Sequence, residues 1–171
     1  MSVSSTEREG EGKPRFSTTA LAEVEAIYAR YPPEHRRSAL LPILHLAQRE
    51  FGGWLSHEAL AYVAELTDIP PVRVGEVATF YTMYNLKPVG RYHVQVCTNI
   101  SCWLCGSDAV AQALQEKLQL QWGETSADGR FTLSEVECLG ACVNAPALQI
   151  NDDYHEELTP EKVTEIMDRL P

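Results

Sequence analysis

Tyr92-His93-Val94-Gln95-Val96-Cys97-Thr98-Asn99-Ile100-Ser101-Cys102 is the stretch on which the reading of this chain turns. A short run rich in strand-forming residues ends in two cysteines spaced C-x4-C. The same succession recurs further along, with 35 residues between Cys102 and Cys138. There, Phe131-Thr132-Leu133-Ser134-Glu135-Val136 reads as a strand and leads into Cys138-Leu139-Gly140-Ala141-Cys142. Two parallel neighbouring strands would bring the loops behind them to one edge of a sheet. Four thiolates would then converge on one small volume, an arrangement that suits a soft metal centre.

Two centres take four thiolates. Structural zinc does so, usually from closely spaced pairs in knuckles. A [2Fe–2S] cluster does so with two thiolates on each iron. The wide C-x4-C and C-x3-C loops leave backbone N–H groups free to point at a cluster's sulfurs, which offsets its negative charge. Gly106 and Gly140 are placed to let backbone come close. A fifth cysteine, Cys105, opens a second ligand set, because Cys97, Cys102 and Cys105 also spell C-x4-C-x2-C, the plant-type ferredoxin spacing. That set would use only one of Cys138 and Cys142. The paired set is preferred because it leaves neither loop idle, and Cys105 then reads as a small buried residue at the start of the next helix.

Length and charge bound the rest. The chain has 171 residues, 44% of them hydrophobic, enough for a packed domain with an appended subdomain. A net charge of −10 argues against a nucleic-acid surface. No apolar run has the length of a bilayer span, so membrane association would go through partners. Five cysteines behind a polar, Glu-containing start point to a reducing compartment rather than a disulfide framework. Residues 1–16 read as a disordered tail.

Residues 17–86 read as a helical bundle. A first helix spans about residues 18–31, with Leu21, Val24, Ile27, Tyr28 and Tyr31 on one face. A second spans about residues 34–51 around Leu40, Leu44, Ala47 and Phe51, with Pro42 marking a kink or a later start. Ser56 caps a third, to about residue 67, and Pro71 opens a fourth, to about residue 81. The aromatic stretch Val77-Ala78-Thr79-Phe80-Tyr81-Thr82-Met83-Tyr84 reads as core or as a docking surface for a partner subunit. The histidines His35, His45, His57, His93 and His155 share no ligand spacing.

Residues 87–171 change pattern. After the first strand and cysteine loop, a helix is predicted over about residues 104–118. The second strand and loop then complete a right-handed βαβ unit. Strands over residues 146–150 and 154–158 follow, joined by the Asn151-Asp152-Asp153 turn. A last helix is capped by Thr159, with Pro160 in its first turn and Val163, Ile166, Met167 and Leu170 covering the sheet. The order βαβ then ββα is that of a reduced thioredoxin-like fold, and Ala145-Pro146 is a candidate cis bond. The fold class is therefore α+β/α/β: an N-terminal four-helix bundle followed by a thioredoxin-like domain.

Together these segments resemble one family. From about residue 20 to residue 170 the chain is similar to the 24-kDa subunits of respiratory complex I, NADH:quinone oxidoreductase. The resemblance rests on Ala39-Leu40-Leu41-Pro42, Leu44-His45-Leu46-Ala47-Gln48, Val77-Ala78-Thr79-Phe80-Tyr81, the two cysteine loops with Glu137 before Cys138, and Ala145-Pro146. It implies a thioredoxin-like [2Fe–2S] ferredoxin domain whose cluster is ligated by Cys97, Cys102, Cys138 and Cys142. It also implies a flavin- and NADH-binding partner subunit, FMN and NADH being held by that partner. The cluster would accept an electron from the reduced flavin and lie off the main chain of clusters leading to quinone. Other peripheral-arm subunits would be neighbours, on the cytoplasmic side of a bacterial inner membrane. Cys105 matches none of the family's four ligand positions.

The residues themselves support a carrier. There is no strand–G-x-G-x-x-G–helix unit and no nucleophile–base set. Chemistry would be one-electron transfer, with the protein supplying ligation, burial and hydrogen bonds. Trp103 beside the first loop is placed to shield the cluster or simply to pack. Three rivals stand beside this reading. One is the equivalent small subunit of an NAD-linked hydrogenase or formate dehydrogenase, and another is a structural zinc module. The third is a thiol–disulfide oxidoreductase built on Cys102-Trp103-Leu104-Cys105.

Overall fold

The computed structural model describes residues 14–171. Backbone contacts divide the chain between Pro88 and Val89. The N-terminal unit is helical. Helix α1, Thr18–Tyr28, starts where the Ser17 side chain accepts the Ala20 N–H at 3.2 Å. Helix α2 is Leu40–Glu50, α3 is His57–Thr67 and α4 is Pro71–Phe80. Ser56 caps α3 in the same way, accepting from the Ala59 N–H at 3.1 Å, and Asp68 closes it with a left-handed φ of 54°. One core gathers Val24, Ile27, Leu40, Ile43, Leu44, Ala47, Leu55, Val63 and Val74.

Four expectations about this unit need correction. Residues 1–13 of the expected tail lie outside the described residues. Phe16, its last member, belongs to the core: it is 6% exposed, stacks on Phe51 at 5.3 Å and meets the Tyr62 ring edge-on at 5.4 Å. The first helix stops at Tyr28, and Ala20 takes the buried place expected for Leu21, which is exposed. The helix expected over residues 34–51 is α-helical only from Leu40, after a 3-10 segment Pro33–Ala39. Pro42 thus falls in the first turn of α2, where a backbone N–H would have no intrahelical partner anyway.

The second unit is a mixed sheet backed by helices. Strand β1 is Tyr92–Cys97, β2 is Phe131–Val136, β3 is Leu148–Ile150 and β4 is Asp153–His155, in the order β2-β1-β3-β4. β1 and β2 run parallel, with Val94 opposite Leu133 and Cys97 opposite Val136. β3 pairs antiparallel with both β1 and β4. The linking segment contains two helices instead of the one expected: α5, Ile100–Leu104, and α6, Ser107–Leu118. Gly106 separates them with a φ of 95°. Helix α7, Pro160–Arg169, begins where Thr159 accepts the Lys162 N–H at 3.2 Å. Val110 and Leu114 of α6 and Val163 and Met167 of α7 bury Tyr92, Val94, Val96, Leu133, Leu148 and Ile150. The Ala145-Pro146 bond is cis.

Candidate metal centre

Parallel pairing in register decides where the cysteines go. Cys97 is the last residue of β1, opposite Val136, the last of β2. The Thr98 N–H donates to the Val136 carbonyl at 3.2 Å, so the chain is still tied across the pair as the first loop begins. On the other side, the Cys97 N–H donates to the Ala147 carbonyl at 3.1 Å. The Cys97 thiol donates to the Glu137 carbonyl at 3.7 Å, and Glu137 directly precedes Cys138. The two cysteine loops therefore leave the sheet side by side at one end, as the alternating strands predict.

Cys102 lies on α5, not in a loop. Asn99 starts that helix, its side chain accepting the Ile100 N–H at 2.7 Å. The helix turns Cys102 inward, to 2% exposure, beside Cys97, which is equally buried. Burial pushes the Cys102 thiol up to about 11; its hydrogen bond with Cys97 and the charges of Cys97 and Cys142 act in the same direction, against the Ala147 backbone. Cys97, Cys102 and Cys142 thus lie close enough to act on one another. Cys138 and Cys142 are exposed. Among the described residues, no three His, Cys, Asp or Glu side chains close into a cage for a single metal ion.

The second loop is pinned by backbone and by neighbours on and after β4. Gly140 holds a φ of +75°, and its N–H donates to the Cys138 sulfur at 3.2 Å. The Tyr154 hydroxyl donates to the Leu139 carbonyl at 3.0 Å. Asn144 donates through Nδ2 to the Glu156 carboxylate at 2.8 Å, and the Glu157 N–H donates to the Asn144 carbonyl at 2.8 Å. On the first loop, the Thr98 hydroxyl donates to the Glu135 carboxylate at 2.7 Å. Tyr154, Thr98 and Asn144 have no local sequence signature; each acts through a tertiary contact. The Asn99 cap, by contrast, was readable as an Asn ahead of a short apolar run.

Three expected roles change. Cys105 is exposed at the end of α5 instead of buried. The Gly106 N–H donates to the Trp103 carbonyl at 3.0 Å, so this glycine separates two helices and its N–H is committed to the chain. Trp103 is 55% exposed, with its indole N–H donating to Asp108 at 2.7 Å. In the aromatic stretch of the first unit, only Tyr84 among the aromatics is buried, its hydroxyl donating to the Leu41 carbonyl at 2.9 Å. Phe80 is 76% exposed.

The donor set fits a [2Fe–2S] cluster. Cys97 ends β1, Cys102 follows on α5, and Cys138 and Cys142 follow β2; the first pair is buried and the second exposed, and the Gly140 N–H points at the Cys138 sulfur.

Comparison with known proteins points the same way. The family model described as thioredoxin-like [2Fe-2S] ferredoxin matches residues 24–171. The E subunit of NADH-quinone oxidoreductase from Rickettsia bellii (strain RML369-C) is 56% identical over 155 residues, covering 91% of this chain and 93% of that one. NADH dehydrogenase [ubiquinone] flavoprotein 2, mitochondrial, of Dictyostelium discoideum is 48% identical over 155 residues, covering 91% of this chain and 63% of that one. Among solved structures, an NAD+-reducing [NiFe]-hydrogenase in the H2-reduced state superposes with a TM-score of 0.65 at 26% identity over 77% of this chain. The match spans only 22% of that hydrogenase chain.

Proposed function

The chain belongs to the thioredoxin-like [2Fe-2S] ferredoxin family, and from that membership we propose that it is the 24-kDa-type electron-transfer subunit of NADH:quinone oxidoreductase, ligating one [2Fe–2S] cluster through Cys97, Cys102, Cys138 and Cys142. The observation that carries the reading is the in-register parallel pair whose ends carry one cysteine pair each. When bound, the cluster supplies one-electron transfer. Cys97 and Cys102 form the protein-side wall, which keeps water from their sulfurs. Cys138 and Cys142 form the outer wall, and the Gly140 N–H offsets negative charge at the Cys138 sulfur. Cys105 stays outside the ligand set.

The donor is the flavin of a partner subunit that oxidises NADH. Two exposed apolar sets support such docking: Val72, Phe80 and Met83 in the helical unit, and Ile100, Leu104 and Val143 in the sheet unit. The assembly is peripheral, on the cytoplasmic side of a bacterial inner membrane. No helix among the described residues is long and apolar enough to cross a bilayer. The hydrogenase likeness favours a second NAD-linked assembly. It is weaker on every count: 26% identity and 22% coverage of the other chain, against 56% and 93% for the complex I relative.

The test is co-purification of the native chain with its flavoprotein, followed by iron and sulfide analysis and EPR of the reduced state. Two irons and two labile sulfides per chain are expected. Cys138→Ala loses the signal and Cys105→Ser keeps it. A signal lost in Cys105→Ser and kept in Cys138→Ala overturns the ligand set, and one zinc per chain overturns the carrier reading.

A further inference from the structure

The second cysteine loop carries a relay of two hydrogen bonds through a single peptide unit. The Tyr154 hydroxyl, on β4, donates to the Leu139 carbonyl at 3.0 Å. The nitrogen of that same peptide unit is the Gly140 N–H, which donates to the Cys138 sulfur at 3.2 Å. A trans peptide is planar, with its C=O and N–H directed to opposite sides. Holding the carbonyl therefore aims the N–H. The turn that permits this orientation has Gly140 at a φ of +75°, a conformation side-chain-bearing residues rarely adopt. Tyr154 is half exposed, so its ring is no core element whose loss would unfold the domain.

We propose that Tyr154 is a positioning residue for the cluster: by holding the Leu139 carbonyl it aims the Gly140 N–H at the Cys138 sulfur and so raises the reduction potential of the bound group. This rests on the reading of Cys138 as a ligand. The physics is direct. Reduction adds negative charge to the iron–sulfur unit, and an N–H donor at a ligand sulfur stabilises the more negative state. A donor at the far end of the same peptide polarises it and strengthens that N–H further. The hydroxyl thus acts on the potential through the Leu139–Gly140 peptide.

The decisive variant is Tyr154→Phe in the full chain carrying its cluster, which removes one oxygen and keeps the ring. Full iron and sulfide content is expected, with a potential lower than wild type by about threefold to tenfold in the one-electron equilibrium, or about 30–59 mV at 59 mV per decade. The EPR g values should move as well. In the cluster-free chain, the Gly140 amide proton should exchange faster in Tyr154→Phe than in wild type. Asn144→Ala removes a different tether of the same loop, its bond to Glu156, and should leave the potential in place. An unchanged potential in Tyr154→Phe overturns the proposal. So does loss of the cluster, since the hydroxyl would then be needed for assembly, and so does an equal shift in Asn144→Ala, which would make general loosening the cause. A wild-type chain without a two-iron cluster, or one that keeps it in Cys138→Ala, fails the ligand reading instead.

Discussion

Gly90 lies just ahead of β1 and against the start of β2, and replacing it with alanine should pry apart the two strands that deliver the cysteines. A Cβ at this position would sit 2.7 Å from the carbonyl carbon of Phe131, 2.9 Å from its nitrogen and 3.0 Å from the carbonyl carbon of Arg130. Comfortable contacts between carbon atoms are about 3.5–4.0 Å. The obstructing atoms are backbone, held in place by the Tyr92 N–H on the Arg130 carbonyl at 2.8 Å and by the Phe131 N–H on the Ser126 hydroxyl at 2.9 Å. They cannot rotate aside as a side chain would. The Gly90 N–H also donates to the Thr132 hydroxyl at 2.6 Å in a buried setting. Overpacking costs about 1–3 kcal/mol, and weakening that bond about 1 more, so Gly90→Ala should destabilise the sheet unit by about 2–4 kcal/mol. Gly75 is the internal control: it lies in α4 with nothing within 4 Å of its Cβ position, and Gly75→Ala should stabilise the helical unit by about 0.5–1 kcal/mol. Native-state amide exchange separates the two effects, with Val94 and Leu133 reporting on the sheet and Val63 on the helices. A Gly90→Ala chain within about 0.5 kcal/mol of wild type at Val94 and Leu133 refutes the clash.

Other outcomes follow from single contacts. His93 is buried on β1, its Nε2 2.8 Å from the Ser134 hydroxyl, and burial holds its pKa below the ordinary imidazole value. The unfolded chain then binds the extra proton, so this group's stabilisation is full above about pH 6.5 and fades as pH falls below it. His93→Gln should flatten that slope in urea titrations between about pH 7.5 and 5.5; an unaltered slope assigns it elsewhere. Ser56→Ala removes the cap on α3 and should cost about 1 kcal/mol in the helical unit, with Ser56→Asp restoring most of it. Phe80→Glu should leave the midpoint of unfolding in place while reducing the flavoprotein recovered with the chain; undiminished recovery removes Phe80 from the interface.

What was legible in the sequence was local. Alternating strands ending in cysteines, Ser56 and Thr159 as caps, and proline at the starts of α4 and α7 are signals written within a few residues of where they act. Phe16 was hidden because a polar tail gives no hint that Phe51 and Tyr62 will cover its last apolar residue. Tyr154 was hidden because its partner is a backbone carbonyl 15 residues away. The inequality between the two cysteine pairs was hidden for a topological reason. Each pair follows a similar strand, yet β1 lies inside the sheet between β2 and β3, while β2 is an edge. Cys97, leaving the interior strand, is held on one side by Ala147 and reaches Glu137 on the other, and its pair is buried. The pair that follows the edge strand stays exposed, with Val143 beside it at 97% exposure. Strand order, which no short motif encodes, and the inward turn of Cys102 on α5 together set one buried pair of sulfurs against one exposed pair.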